Sequence, residues 1–196
     1  MAPRQNTVVG TDGKARCGWA SADPLYEKYH DREWGRPMED DHALFELLIL
    51  EGCQAGLSWI TVLRKREHYR KVYDGFDPNK IARYTPAKLA KLLADPGIIR
   101  HRGKIDASVS NAKAFQKLVE REGSFHRWLR KTVGEQPAVR PKTLKDVPAR
   151  TPESDALAKA LAKEGFKFVG STICYAFMQA SGLVDDHVVG CHRRKE

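Results

Sequence analysis

The chain has 196 residues, 41% of them hydrophobic and 30% charged, and it is long enough to bury the core of one ordinary domain. Its longest apolar stretch, Leu47–Leu50, is far too short to span a bilayer, and the amino terminus lacks the apolar core of a signal peptide. We therefore expect a cytoplasmic protein with no membrane partner. The formal net charge of +9 favours a polyanionic partner, and a basic surface that binds nothing is the alternative.

The first 15 residues contain two glycines, several polar side chains and no sustained apolar period, which predicts a flexible tail outside the fold. Residues 16–196 are predicted to form a single helical domain. Four helix starts are marked by a capping oxygen directly before a proline, because proline suits the first helical position. These pairs are Asp23-Pro24, Asp77-Pro78, Thr85-Pro86 and Thr151-Pro152.

The remaining pattern also has mostly helical periodicity. Apolar residues predict a helix over Asp41–Cys53 and a second one that Ser58 caps and that runs to Val72. Further helices are predicted near residues 88–94, 101–121, 124–132, 153–164 and 171–181. The segment Gly134–Pro148, with three prolines, is typical of a long loop. No alternation of apolar and polar residues is strong enough to indicate a sheet, so the predicted fold class is all-α.

Four residues near the two ends of the chain form a possible metal-ligand set. His187 and Cys191 are four positions apart, which places both on one helical face or in one tight turn, and Cys17 and His30 add the same two ligand types. Four protein ligands fill a zinc tetrahedron, so such a zinc would be structural. The alternative is four packed core residues. Two further cysteines, at 53 and 174, are interpreted as small buried thiols.

Glu51 falls on the predicted core-facing stripe of the first long helix, four residues after Leu47 and three after Leu48. A carboxylate there needs a partner. Two structural roles are open, a buried salt bridge or a cap for the helix that follows. The functional interpretation is a pocket carboxylate that accepts hydrogen bonds from a ligand.

A glycine-containing loop follows Glu51. Gly56 permits close backbone approach, Leu57 can present an exposed apolar wedge, and Trp59 offers a large flat face. An enzyme that works on a base must remove it from the stack, hold its polar edge and stack against its face. Trp19, Tyr29 and Trp34 are candidate additional walls of such a pocket, although aromatic residues are mostly core residues.

Residues 88–105 predict a helix, a tight turn at Gly97 and a second helix. Such a turn exposes backbone N–H groups beside Arg100, Arg102 and Lys104, an arrangement suited to binding backbone phosphate without reading sequence. An ordinary helix connection with solvated basic residues is the alternative.

Several motifs in one order closely resemble the bacterial 3-methyladenine DNA glycosylase I family, over residues 16 to 191. They are Arg16–Trp19, Tyr29–Asp31, Glu33–Gly35, Leu50–Gly52, Gln54–Trp59, Gly97–Ile105, Gly165–Gly170 and Asp186–Cys191. The resemblance implies a helix-hairpin-helix glycosylase fold. It also implies one structural zinc on Cys17, His30, His187 and Cys191.

The resemblance further implies hydrolysis of the N-glycosidic bond of 3-methyladenine in double-stranded DNA, which leaves an abasic site and the free base. It assigns Glu51 as the catalytic residue, places Glu51 and Tyr29 on the edge of the flipped base, and places Trp59 against its face. Trp19 and Trp34 are assigned nearby positions. The residues implied to contact DNA are Gln54, Gly56, Leu57, Gly97, Arg100, Arg102 and Lys104. A monomer is expected.

Two departures accompany the resemblance. Relatives in the wider superfamily carry an aspartate that stabilises the sugar cation or activates water, and Val184–Val188 resembles that motif, but no such carboxylate is assigned here. Cys53 stands where the family commonly has glutamine. Lys113 and the other lysines offer no convincing Schiff-base nucleophile, which predicts excision without strand cleavage. A non-catalytic lesion-binding module and a glycosylase of broader alkylpurine scope are the competing hypotheses.

Overall fold

A computed structural model describes residues 5–20, 23–134 and 140–194. Its described part is mainly helical, as predicted. The α-helices are α1 (Pro24–Arg32), α2 (Asp41–Gln54), α3 (Trp59–Leu63), α4 (Arg66–Val72), α5 (Pro78–Ile81), α6 (Pro86–Ala94), α7 (Arg102–Glu122), α8 (Phe125–Val133), α9 (Pro152–Lys163) and α10 (Ser171–Ala180). None of the helices in these ranges is long and apolar enough to cross a membrane.

All four predicted proline starts are confirmed. Asp23, Asp77, Thr85 and Thr151 are the N-cap residues of α1, α5, α6 and α9, and each side chain accepts a backbone N–H of its own first turn. These starts were predictable because the cap and the proline act within one turn.

The helix predicted from Ser58 to Val72 is interrupted. It ends at Leu63 as α3, and α4 begins at Arg66. The backbone N–H of Lys65 donates to the carbonyl of Val62, a three-residue spacing that tightens the turn and lets the two helices diverge.

Two short strands were not predicted. β1 (Thr7–Val9) pairs antiparallel with β2 (Ala15–Cys17), so part of the predicted tail forms a hairpin. Strands of three residues are too short to show an alternating pattern. Residues 1–4 of the predicted tail lie outside the described residues, as do residues 135–139 of the predicted loop; residues 140–148 contain neither helix nor strand.

The chain divides into two compact units. The first comprises Met1–Pro37, Glu135–Ala149 and Met178–Glu196, and it contains the hairpin and α1. The second comprises Met38–Gly134 and Arg150–Phe177, and its core is built from α2 and the helices packed on it. Its largest fully buried side chains include Tyr69, Phe45, Phe125 and Leu118. The single domain expected for residues 16–196 stays a prediction.

Candidate active site and metal centre

The first unit contains a cluster of potential metal ligands. The ligand atoms of Cys17, His30 and Cys191 all lie within 4.8 Å of one another, and all three residues are buried. Sγ of Cys191 lies 3.4 Å from Nε2 of His30. A hydrogen bond between the two thiols lowers the pKa of Cys191 and raises that of Cys17, because the pair shares a proton. Three of the four predicted ligands are therefore brought together.

The fourth predicted ligand, His187, lies beside this cluster. Its ring centroid is 5.2 Å from that of His30. Nε2 of His187 is buried and has no hydrogen-bond partner within the described ranges, so a polar atom near the cluster is left unsatisfied. Gly35 adopts a φ of 71°, and a Cβ there would lie 2.7 Å from Cε1 of His187, so only glycine lets this ring approach so closely.

An aspartate contacts the Nδ1 atom of each histidine. Nδ1 of His30 lies 2.9 Å from Oδ1 of Asp31, and Nδ1 of His187 lies 2.6 Å from Oδ1 of Asp185. The Nδ1 contacts leave Nε2 of each ring for another partner, which is the outer-shell pattern of metal-binding histidines. Sequence reasoning did not single out these aspartates as partners, although Asp31 follows one histidine directly and Asp185 precedes the other by two positions.

An arginine contacts each of these two aspartates. Buried Arg16 donates to both carboxylate oxygens of Asp31, with N···O distances of 3.0 and 2.7 Å. These hydrogen bonds hold the pKa of Asp31 below its ordinary value against the effect of burial. Arg140 lies 3.5 Å from Asp185, whose pKa is lowered chiefly by its contact with His187. Asp185, which lies in the superfamily-like aspartate motif, therefore supports a histidine.

Trp19, Tyr29 and Trp34, the three aromatic residues predicted as additional pocket walls, lie in the first unit and form one cluster beside these histidines. The ring centroid of Trp19 lies 4.9 Å from that of Trp34 and 6.4 Å from that of Tyr29. Trp34 in turn packs edge-on against His187 at 4.7 Å and stacks with His30 at 6.2 Å. Because Trp34 contacts both histidine rings, a bound metal that fixes these rings would also restrict the packing of the aromatic cluster.

The second unit contains Glu51, which lies in the last turns of α2 and is 3% exposed. Within the described part of the chain its carboxyl group has neither an ion pair nor a hydrogen bond, and the cap position of α3 makes no side-chain cap bond. Neither structural role predicted for it is therefore observed there. Burial alone raises the pKa of Glu51 from 4.5 to about 8. A buried carboxyl group without a partner can accept a hydrogen bond from a donor group of a ligand.

The loop after Glu51 has the predicted exposed wedge. Gly56 adopts a φ of 81°, and Leu57 is 40% exposed. Gln54 closes the turn, since its carbonyl accepts from the N–H of Leu57 at 2.6 Å and its side-chain amide donates to the carbonyl of Leu57 at 3.2 Å. Half-buried Trp59 then begins α3, which packs on α2.

The turn between α6 and α7 is braced by side chains of the protein itself. Asp95 accepts the N–H of Gly97 at 2.7 Å and contacts Nε2 of His68 at 2.8 Å. The hydroxyl of Tyr69 accepts the N–H of Ile99 at 2.9 Å. The N–H groups of Gly97 and Ile99 are thus already bonded within the protein, and the side chains of Arg100 and Arg102 are exposed.

The chain is similar to known methyladenine glycosylases. The family model for methyladenine glycosylases matches residues 19–194. The chain is 55% identical to DNA-3-methyladenine glycosylase 1 of Escherichia coli, over 90% of this chain and 95% of that protein. It is 48% identical to the DNA-3-methyladenine glycosylase of Haemophilus influenzae, over 90% of this chain and 96% of that one.

Solved structures give the same result. A crystal structure of 3-methyladenine DNA glycosylase I superposes with a TM-score of 0.89 at 54% identity, covering 92% of this chain and all of that one. The Staphylococcus aureus enzyme, studied for its recognition of 3-methyladenine, superposes with a TM-score of 0.86 at 36% identity, covering 91% and 95% of the two chains.

Proposed function

The chain belongs to the methyladenine glycosylase family, and on that premise we propose that it repairs alkylated DNA by hydrolysing the N-glycosidic bond of 3-methyladenine. The products are the free base and an abasic site, without strand cleavage. The observation that carries the proposal at the level of residues is Glu51, a buried carboxylate with no partner in the described ranges, at the end of the helix that leads into an exposed apolar loop.

The chemistry of the lesion explains why one carboxylate is sufficient. Methylation at N3 makes the base cationic, so it leaves as a neutral molecule and needs no prior protonation. Burial makes the ionised form of Glu51 costly until a positive charge arrives, and the cationic base supplies that charge. Normal adenine supplies none, so Glu51 favours the lesion electrostatically while it accepts from the exocyclic amino group.

Aromatic side chains supply the remaining recognition. Trp59 is proposed to stack against the base, a cation–π contact worth roughly 0.5 to 2 kcal/mol for an electron-poor ring. Tyr29 is proposed to contact the edge of the base, with Trp19 and Trp34 as nearby walls. Gly56 and Leu57, with Gln54 bracing their turn, are proposed to enter the DNA where the base has left, and Arg100 and Arg102 to bind backbone phosphate.

We also propose that Cys17, His30, His187 and Cys191 hold one structural zinc. The residues fit this metal: two thiols and two imidazoles are the donors that zinc prefers, and both Nδ1 atoms are already held by aspartates. The unsatisfied Nε2 of His187 supplies the fourth donor. Zinc with four protein ligands supplies no open coordination position, so its contribution is to order the residues that carry it.

Base release decides the catalytic proposal. Incubation with N-methylated DNA, followed by chromatography of the released bases, should yield free 3-methyladenine. Glu51→Gln should lose most of this activity and still bind abasic DNA, because the loop and the basic residues are intact. Glu120→Gln, which changes an exposed carboxylate on α7, is the matched control.

The competing hypotheses give different results in the same assay. Folded, zinc-loaded protein that releases no base would indicate a lesion-binding module. Release of 7-methylguanine at a rate comparable to that of 3-methyladenine would indicate broader alkylpurine scope. Equal activity of Glu51→Gln and wild type would refute the assignment of Glu51.

A further inference from the structure

Lys104 lies at the third position of α7, but its charge is directed into the protein. The residue is 9% exposed. Its Nζ donates to the carbonyl oxygen of Cys53 at 2.8 Å and to that of Ala55 at 2.6 Å. These carbonyls belong to the end of α2 and to the residue that follows it, so Lys104 connects α7 with the loop that presents Leu57.

The electrostatics of the two helices favour this arrangement. A cation near the start of a helix meets the positive end of the helix dipole, whereas the end of another helix is negative and has carbonyls without intrahelical partners. The last turn of α2 contains no basic residue of its own. The long side chain of Lys104 therefore moves its charge from an unfavourable helix end to a favourable one.

The acceptors of Lys104 are neutral carbonyls, and the described residues place no carboxylate within ion-pair distance of its Nζ. Two short hydrogen bonds from one ammonium fix the backbone on both sides of Gln54. Gln54 in turn brackets Leu57 through two hydrogen bonds. The exposed wedge is thus connected to α7 by a continuous set of polar contacts.

From this geometry we infer that Lys104 is a positioning residue that holds the Gly56–Leu57 turn in the orientation needed to enter DNA. This inference rests on the proposed function. It gives Lys104 a different role from Arg100 and Arg102, which are exposed and free to bind phosphate. The three basic residues around the start of α7 that were predicted to contact DNA are thereby divided into two that bind the DNA backbone and one that orients the inserting loop.

The test compares three substitutions to methionine on α7. Lys104→Met should reduce single-turnover release of 3-methyladenine roughly 10- to 100-fold, because misplacing a group by about 1 Å can cost about 100-fold in rate. It should also reduce the fluorescence change of 2-aminopurine placed beside the lesion, which reports entry of the wedge. Arg102→Met should instead lower the slope of log K against log salt by about 0.9. Lys113→Met, on the exposed face of α7, is the matched control.

Two further measurements separate positioning from a general loss of structure. Hydrogen exchange of residues 55–58 should accelerate in Lys104→Met while the amides of the α7 interior stay protected. Lys104→Arg, which keeps a cationic donor, should restore at least part of both the excision rate and the fluorescence change. If Lys104→Met does not fold, Lys104→Arg and Lys104→Gln carry the comparison.

The outcomes are distinguishable from failure of the proposed function. Wild-type protein that releases no base would refute the glycosylase proposal, while the hydrogen-exchange comparison would still test Lys104. A Lys104→Met variant with wild-type excision and fluorescence would overturn the inference. So would a variant whose only defect is a salt slope lowered as in Arg102→Met, since that is the signature of a phosphate contact.

Discussion

Glu51 combines deep burial with the absence of an ion pair in the described ranges, and this makes its ionisation costly. The folded protein raises its pKa from 4.5 to about 8, so the folded state keeps a proton that the unfolded chain has already lost between these pH values. The free energy of unfolding that this group contributes is therefore present below about pH 4.5 and lost as pH rises through 8.

Glu51→Gln should consequently stabilise the protein at high pH. The amide does not titrate, and each pKa unit is worth about 1.4 kcal/mol, so the variant should gain several kcal/mol over wild type between pH 5 and pH 9. Denaturant unfolding of both proteins across this range measures the difference, in which the other titrations cancel. A difference that is independent of pH would show that Glu51 ionises normally in the folded protein.

The same residue is expected to be poor for stability and necessary for function. A variant that is more stable at pH 9 and inactive on methylated DNA would show both properties at one position. Glu120→Gln, on the exposed surface, should change neither property.

At the scale of elements, the turn from α2 to α3 depends on one backbone conformation. Gly56 has a φ of 81°, and no atom lies within 4 Å of the position that a Cβ would take. Gly56→Ala should therefore cost only the backbone strain of the left-handed region, about 1 to 2 kcal/mol. Denaturant unfolding without DNA measures this cost.

Gly170→Ala is the control for this prediction. Its added Cβ also meets no atom within 4 Å, and its φ lies outside the left-handed region. Gly170 directly precedes α10 and its carbonyl accepts the N–H of Cys174, so the variant should lose only the preference of this cap position for glycine over alanine, about 0.5 kcal/mol. Equal stability of the two alanine variants would mean that Gly56 relaxes to another conformation at little cost.

The elements that sequence analysis predicted best are those with local determinants. The four capped proline starts depend on neighbouring residues and were all confirmed. The break after Leu63 depends on tertiary packing, and the pairing of Thr7 with Cys17 depends on the register of a hairpin. Neither can be predicted from a short sequence pattern.

The predicted site shows the same division. The burial of Glu51 was predicted correctly from its spacing to Leu47 and Leu48, but the predicted reason was too narrow, because every residue from Leu47 to Cys53 is buried and not only one helical stripe. The direction taken by Lys104 could not be predicted, because the carbonyls that it reaches are about 50 residues away in the chain. Its position beside Arg102 suggested a phosphate contact, and only the structure gives the alternative.

At the scale of the whole molecule, the proposed zinc links distant parts of the sequence within the first unit. Cys17 and His30 come from the hairpin and α1, whereas His187 and Cys191 follow α10. Binding free energy at such a site is folding free energy, because the unfolded chain has no preformed site. We expect zinc removal to lower the free energy of unfolding on the order of 4 kcal/mol, by analogy with a cross-link that closes a long loop.

Guanidinium unfolding of the zinc-loaded protein and of protein stripped by a chelator measures this loss, with metal content determined on the same samples.

Cys174→Ala, which removes a buried thiol that hydrogen-bonds the carbonyl of Val169, should keep one zinc per chain. Asp185→Asn should keep the metal but release it faster to a competing chelator, because Nδ1 of His187 loses its charged partner. Protein that is equally stable without metal and has all its thiols titratable would refute the zinc proposal.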